Sequence, residues 1–293
     1  MAVVATGFFD GVHLGHRLVI DTLLSEASRR GEQSIVVSFW PHPRAVLQSG
    51  ADELRYLMPR AEKESVLRAL GVDCIETVPF TRDFAAMSAR QYIQMLREQF
   101  GCTELVLGYD TRFGREQTGP YEIASLARGM GLDAVVTSPV CIGESPVSSS
   151  RIRAALSRGE VEDAAGFLGR PYCLNGVVVA GNRLGRTIGF PTANMKLYEP
   201  LMLVPQNGVY ASRVTVQGKR YCGMTNIGTR PTVSEHESLT IETNIFDFDE
   251  MIYGLDISVE FIARIRDERK FASLQDLQQQ LTEDASSCHS LGL

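Results

Sequence analysis

The sequence has 293 residues, 44% of them hydrophobic, which excludes a disordered chain and sets an expectation of about two domains. A formal net charge of −6 argues against a general nucleic-acid binder, no run reaches the ~20 apolar residues of a membrane span, and the N-terminus lacks a signal peptide's basic region. Cys74, Cys102, Cys141, Cys173, Cys222 and Cys288 have no metal-ligand spacing, which suits reduced thiols and a cytoplasmic setting.

The β-branched run Val3–Thr6 predicts a buried strand. From His16 to about Arg30, Leu18, Val19, Leu23 and Ala27 share one helical face. Between strand and helix lies GFFDGVHLGH, Gly7–His16. Its glycines Gly7, Gly11 and Gly15 allow close approach of a ligand to the backbone. The helix start offers unpaired amides and partial positive charge to a phosphate. His13 and His16 project to one side of that start. Two histidines in an ordinary turn is the plainer reading, and zinc lacks further His or Cys ligands nearby.

The following segments alternate. Gln33–Phe39 reads as a strand, Trp40-Pro41-His42-Pro43 as a breaker, Pro59–Leu70 as a helix and Cys74–Val78 as a strand. Ser88–Phe100 is an amphipathic helix closed by Gly101, and Glu104–Gly108, Tyr121–Gly129 and Ala134–Thr137 continue strand, helix, strand. Strict alternation predicts an α/β, Rossmann-like domain with a parallel sheet, binding ligands beyond the carboxyl ends of its strands. Gly7–His16, Phe39–Arg44 and Gly108–Arg115 (GYDTRFGR) fall at such ends. Ser148-Ser149-Ser150-Arg151-Ile152-Arg153 opens a serine-capped helix ended by Gly159, a further anion site.

After Gly169-Arg170-Pro171 the pattern changes. Leu174–Ala180, Gly208–Val216, Arg220–Ile227, Leu239–Asp247 and Leu255–Arg264 read as strands, and only Ser273–Thr282 reads as a helix. They predict a C-terminal β-barrel with a terminal helix. Within it, GNRLGRTIGFPTAN places Gly181, Gly185 and Gly189 with Arg183 and Arg186 in a basic loop suited to phosphates. Thr192 and Asn194 offer oxygens to Mg²⁺, and Pro191 fixes the backbone between loop and site. Alternation along Leu239–Asp247 puts Thr240, Glu242 and Asn244 on one face, where a lone acid ordinarily meets only solvent.

GFFDGVHLGH resembles the HxGH signature of nucleotidylyltransferases and, in this full form, the prokaryotic bifunctional riboflavin kinase/FAD synthetase family. Gly108–Arg115 resembles that family's nucleotide loop, Pro41-His42-Pro43 its PHP segment, and Ser148–Arg153 its SSTxIR motif with Ser150 in place of threonine. GNRLGRTIGFPTAN resembles its riboflavin-kinase motif, TIETNIFDFD the segment carrying its general base, and IRDERKF a flavin-side segment with Arg266, Asp267 and Phe271. Phe8, Trp40, Thr111 and Pro120 depart from the family pattern.

The resemblance implies an FMN adenylyltransferase in residues 1–168 and a riboflavin kinase in residues 169–293. His13, His16 and Arg151 would then be catalytic in the first, and Glu242 the general base of the second. Gly7, Phe8, Asp10, Gly11, Gly15, His42, Gly108, Asp110, Arg112, Ser148, Ser149, Ser150 and Arg153 would bind the first domain's substrates. Gly181, Arg183, Gly185, Arg186, Gly189, Phe190, Pro191, Thr192, Asn194 and Arg266 would bind those of the barrel, with Mg²⁺ at Thr192 and Asn194. Riboflavin, FMN, FAD and ATP are the implied small molecules, without nucleic-acid or membrane partners; homo-oligomerisation stays open. Two other classes remain: a nucleotidylyltransferase for another phosphomonoester with a regulatory barrel, and a flavin-binding sensor without turnover.

Overall fold

The computed structural model describes residues 1–47, 54–181, 184–231 and 237–292. Its elements run β1 (Ala2–Thr6), α1 (Leu14–Arg30), β2 (Gln33–Trp40), α2 (Pro43–Leu47), α3 (Arg60–Ala69), β3 (Cys74–Pro79), α4 (Arg82–Ala85) and α5 (Ala89–Phe100). Then come β4 (Cys102–Leu107), α6 (Pro120–Gly129), β5 (Asp133–Val136) and the short pair β6 (Cys141–Ile142) and β7 (Ser145–Pro146).

The expected parallel sheet forms in the order β3-β2-β1-β4-β5. Every residue of the central β1 is buried, because its small and β-branched side chains meet helices on both faces. One face packs Val36 and Ile20, Leu23 and Leu67 from α1 and α3. The other packs Ile93 and Leu96 from α5, Ile123 from α6, and Leu105 and Leu107. Strand order reverses between β1 and β4, so a crevice opens beyond their carboxyl ends. Pro120 opens α6 in its first turn, where a missing N–H costs nothing. α1 begins at Leu14, earlier than the expected His16, which makes His13 its N-cap.

The remaining elements are α7 (Ser149–Ser157), α8 (Val161–Leu168), β8 (Tyr172–Val179), α9 (Leu184–Thr187), β9 (Ala193–Leu197), β10 (Gly208–Val216), β11 (Lys219–Pro231), β12 (Glu237–Ile245), β13 (Asp256–Arg266) and α10 (Leu274–Ser290). The six strands close as an antiparallel barrel, β10-β11-β12-β9-β8-β13. Inside it, Ser212, Thr225 and Thr243 are fully buried and linked in a chain of hydroxyls at 2.8 and 2.9 Å, which satisfies them without water.

The chain divides into two compact units, Met1–Ser149 and Ser150–Leu293. The sequence boundary at residue 168 follows the change of element type, whereas packing groups the preceding helices with the barrel. The Arg264 guanidinium donates to the Arg158 carbonyl (3.1 Å), its amide donates to the Glu162 carboxylate (3.1 Å), and the Gln206 amide donates to the Leu156 carbonyl (3.0 Å). Two differences from the sequence pattern concern the barrel. β9 begins at the end of GNRLGRTIGFPTAN, where no strand was expected, and α10 runs past the expected end at Thr282 to Ser290, a continuation masked by the buried Asp284 interrupting its apolar stripe.

Candidate functional sites

In the first unit, the turn after β1 and the loop after β4 face one cleft at the switch point. Gly7, Phe8, Phe9, His13, Gly15 and His16 line it together with Pro43, Gly108, Asp110, Arg112, Thr137 and Val147. The turn is strained: Phe9 (φ 54°), Gly11 (φ 80°) and Val12 (φ 41°) are all left-handed. Glycine accepts this freely, but a β-branched valine does not. Phe9 and Val12 are buried, so the core packed around them holds the turn. Such residues cost on the order of 1–3 kcal/mol each and cluster where geometry serves a ligand.

What the strain achieves is the placing of two imidazoles. His13 is buried, and its Nδ1 accepts the His16 amide at 3.2 Å, so Nε2 carries the proton and donates. The rings stack with centroids 3.6 Å apart. Burial first, then His13 and Lys63, hold the His16 pKa well below its ordinary value. Its Nδ1 is buried without a hydrogen-bond partner. The arrangement sets two stacked imidazoles, that of His16 held neutral, at the positive end of α1, able to hold anionic oxygens.

Other candidates from the sequence take different places. Asp10, Gly11 and His42 stand outside the cleft lining. The Asp10 carboxylate is buried and accepts the Leu57 amide (3.1 and 3.2 Å), while its carbonyl accepts the Ser149 hydroxyl (3.0 Å). His42 accepts the Arg44 amide (3.0 Å) and packs its ring 4.2 Å from that of Phe8. Ser148 and Ser149 close the first unit; Ser150, Arg151 and Arg153 belong to the second, where Arg151 lies 4.2 Å over the Phe167 ring. Sequence reasoning missed Lys63, which is 3% exposed. Its signal was a lysine one turn before the buried Leu67, on the apolar face of α3.

In the second unit, ladder register makes the site. Asn194 on β9 is the pairing partner of Glu242 on β12. The Thr192 hydroxyl donates to Glu242 Oε2 at 3.2 Å, and Asn244 Nδ2 donates to the Pro191 carbonyl at 2.7 Å, fixing the loop against the strand. A Cβ on Gly181 would collide with the Asn194 amide, so glycine is needed there. Arg183 lies outside the described residues.

Alternation along β12 serves two cavities. Glu242 and Asn244 face a cavity between the barrel wall and α10, lined also by Gly185, Phe190, Met224, Arg266, Phe271, Leu277 and Leu281. Thr243 and Ile245 face another, lined by Val178, Arg186, Pro191, Ala193, Phe248, Met251 and Tyr253. Thr192 lines both. Thr192 is thus the residue shared by the two cavities, 3.2 Å from the Glu242 carboxylate that faces one of them.

Arg266 reaches the first of these cavities as half of an ion pair. Its Nε donates to both Asp284 carboxylate oxygens (2.9 and 3.0 Å), its Nη2 to Oδ2 (2.8 Å) and its Nη1 to the Asp267 carbonyl (2.9 Å). Asp284 is 1% exposed and also accepts from Gln280 (2.8 Å). Sequence reasoning missed Asp284, which lies beyond the expected end of the helix.

The Thr192 hydroxyl and the Asn194 side-chain amide are hard oxygen donors, held beside Glu242 by one hydrogen bond and one ladder pair. Among the described residues no group of three His, Cys, Asp or Glu could hold a metal. That donor set fits Mg²⁺, which keeps few protein ligands and takes the rest from phosphates and water.

Comparison with known proteins covers both units. The FAD synthetase family model matches residues 1–151, and the riboflavin kinase family model residues 168–291. A bifunctional riboflavin kinase/FMN adenylyltransferase of Bacillus subtilis (strain 168) is 37% identical, over 97% of this chain and 90% of its own length. One from Escherichia coli (strain K12) is 37% identical over 96% and 90%. A crystal structure described as a macrolide-efflux protein from Streptococcus pneumoniae has a TM-score of 0.92 and 31% identity, covering 98% of this chain and 93% of that one.

Proposed function

The chain belongs to the family of bifunctional riboflavin kinase/FMN adenylyltransferases, and from that premise we propose that it converts riboflavin to FMN and then FMN to FAD. The kinase step uses residues 169–293 and the adenylyl transfer residues 1–168. What supports this reading is the barrel geometry: neighbouring residues of one strand face two cavities, and Thr192, which lines both, stands 3.2 Å from Glu242 in one of them.

The cavity under α10, walled by Phe190, Met224, Phe271, Leu277 and Leu281, suits an apolar flavin ring. The opposite cavity takes ATP. Glu242 accepts the proton of the riboflavin 5′-hydroxyl as its oxygen attacks the γ-phosphorus; the bond to the β-phosphate oxygen breaks and ADP leaves. General-base help of this kind contributes roughly 10²–10⁴-fold. Thr192 and Asn194 would hold Mg²⁺, which would supply charge neutralisation to the nucleotide phosphates. Arg186 and the glycine-rich loop orient those phosphates.

In the first unit the FMN phosphate oxygen attacks the α-phosphorus of ATP, and pyrophosphate departs. No protein nucleophile is needed, so catalysis is positioning and charge stabilisation. His13 Nε2 donates to the phosphate oxygens, and His16 lies stacked beside it at the start of α1. Ser148 and Ser149, at the end of this unit, are assigned to the β- and γ-phosphates. Six free cysteines favour a reducing, cytoplasmic compartment. Efflux has less support, since no described helix is long and apolar enough to cross a membrane.

Incubation with riboflavin and Mg–ATP, resolving flavins and nucleotides over time, tests the reading. FMN and ADP should appear first, then FAD and pyrophosphate. Flavin retention without ADP or pyrophosphate would leave a binding protein, and AMP transfer only to a different phosphomonoester would leave the other transferase.

A further inference from the structure

Lys63 is a lysine where lysines are rarely found. Its side chain enters from α3 beneath the turn that follows β1, and only 3% of it is exposed. The ammonium donates to the Phe8 carbonyl at 2.8 Å and to Ser38 Oγ, on β2, at 2.8 Å. It also sits 4.2 Å from the centre of the Phe8 ring. Removing an ammonium from water costs several kcal/mol, and an apolar side chain of similar volume would stabilise the core more cheaply. A charge kept under those conditions calls for a use beyond stability.

Phe8 supplies that use. Its ring lines the cleft with His13 and His16, and the next residue begins the left-handed stretch through Phe9 and Val12. We propose that Lys63 is a positioning residue for adenylyl transfer: by clamping the Phe8 carbonyl to β2 and seating the Phe8 ring, it fixes the strained turn that presents the two histidines. The inference rests on the proposed reaction of the first unit. Lys63 touches no substrate; it acts through Phe8 and His16.

The charges facing Lys63 are Asp10 from the turn, Glu64 and Arg60 from its own helix, and His16 from α1. Burial dominates among them and brings the ammonium down to about 8. A proton is then lost inside an accessible pH range, with an unusual pair of consequences. The clamp weakens as pH rises through 8. Over the same range the fold gains stability, because the unfolded chain still binds a proton that the folded chain has released. A merely structural lysine would not separate the two.

The test measures kcat and KM for FAD formation from FMN and Mg–ATP between pH 6.5 and 9.5, with riboflavin phosphorylation as the internal control. The parent should lose FAD formation above pH 8 without unfolding. Lys63→Met keeps the stem but not the charge; it should lower kcat at pH 7 by at least about 30-fold, leave KM for ATP within about threefold, and abolish the alkaline decline. Lys63→Arg should recover most of kcat and carry the decline to higher pH. Ser38→Ala, which deletes one acceptor of the ammonium, should shift the decline to lower pH, and it serves if Lys63→Met does not fold. A Met variant with the parental kcat and pH profile, or an unmoved decline in Ser38→Ala, overturns the role of Lys63. A parent that makes no FAD at any pH overturns the reaction itself.

Discussion

The two units solve a phosphate-transfer problem by opposite uses of the chain. In the first, the histidines belong to one short run, and α1's start, an imidazole N-cap and left-handed residues at Phe9, Gly11 and Val12 place them. In the second, Thr192 and Glu242 are far apart in sequence and meet because β9 pairs with β12 in one register. The first site is rigid through local strain held by a core. The second is rigid through a ladder, where a slip of one residue would turn Glu242 away from its cavity. A local site is damaged by changes beneath its turn; a ladder site is damaged by changes to the wall and helix that cover it.

The largest effects should separate the two sites completely. His13→Ala removes a donor aimed at phosphate charge, a loss of about 3 kcal/mol by analogy with an oxyanion donor. FAD formation from supplied FMN should fall a hundredfold or more while FMN formation continues, both followed by resolving the flavins. Equal loss of both activities in a folded protein would break the comparison. Glu242→Gln is the mirror. Riboflavin phosphorylation should drop by about a hundredfold, Mg–ATP affinity should change little in a binding titration, and FMN should still become FAD. A Gln variant working at the parental rate would remove Glu242 from the reaction.

A smaller effect tests the covering helix. Asp284→Ala leaves the Arg266 guanidinium without its carboxylate, and breaking a buried pair on one side costs about 3 kcal/mol. We expect the barrel to melt earlier and KM for riboflavin to rise about tenfold, with kcat at saturation nearly kept. An unchanged KM would mean that Arg266 holds only the helix and not the cavity wall.

The smallest effect is a matter of sign. Lys63 has its folded pKa lowered to about 8, so between pH 8 and its unfolded value the first unit should gain stability, up to about 3 kcal/mol. His16, also lowered, acts at the acid side: below its ordinary pKa only the unfolded chain takes up the proton, so stability falls as pH falls. Denaturant titrations should show the alkaline gain in the parent and not in Lys63→Met, and the acid-side loss should be weaker in Lys63→Met, because Lys63 helps hold the His16 pKa down.

Much of this was legible in the residues. Strand–helix alternation with turns at carboxyl ends led to the parallel sheet and to the cleft, because hydrophobic period reports which faces are buried. The spacing of His13 and His16 placed both on one side of a helix start, and alternation along Leu239–Asp247 put Glu242 and Asn244 together. The barrel was expected from its run of short strands, but the pairing of Asn194 with Glu242 and the sorting of neighbours on β12 into two cavities could not be read, since register is a relation between strands distant in sequence. Lys63 and Asp284 were hidden for the same reason. A charged side chain counts as surface until tertiary structure supplies the Phe8 carbonyl, the Ser38 hydroxyl or the Arg266 guanidinium that makes its burial tolerable. Sequence determined the two folds and the chemical groups they carry; only packing decided which charges would be taken out of water, and so which of them act on the sites.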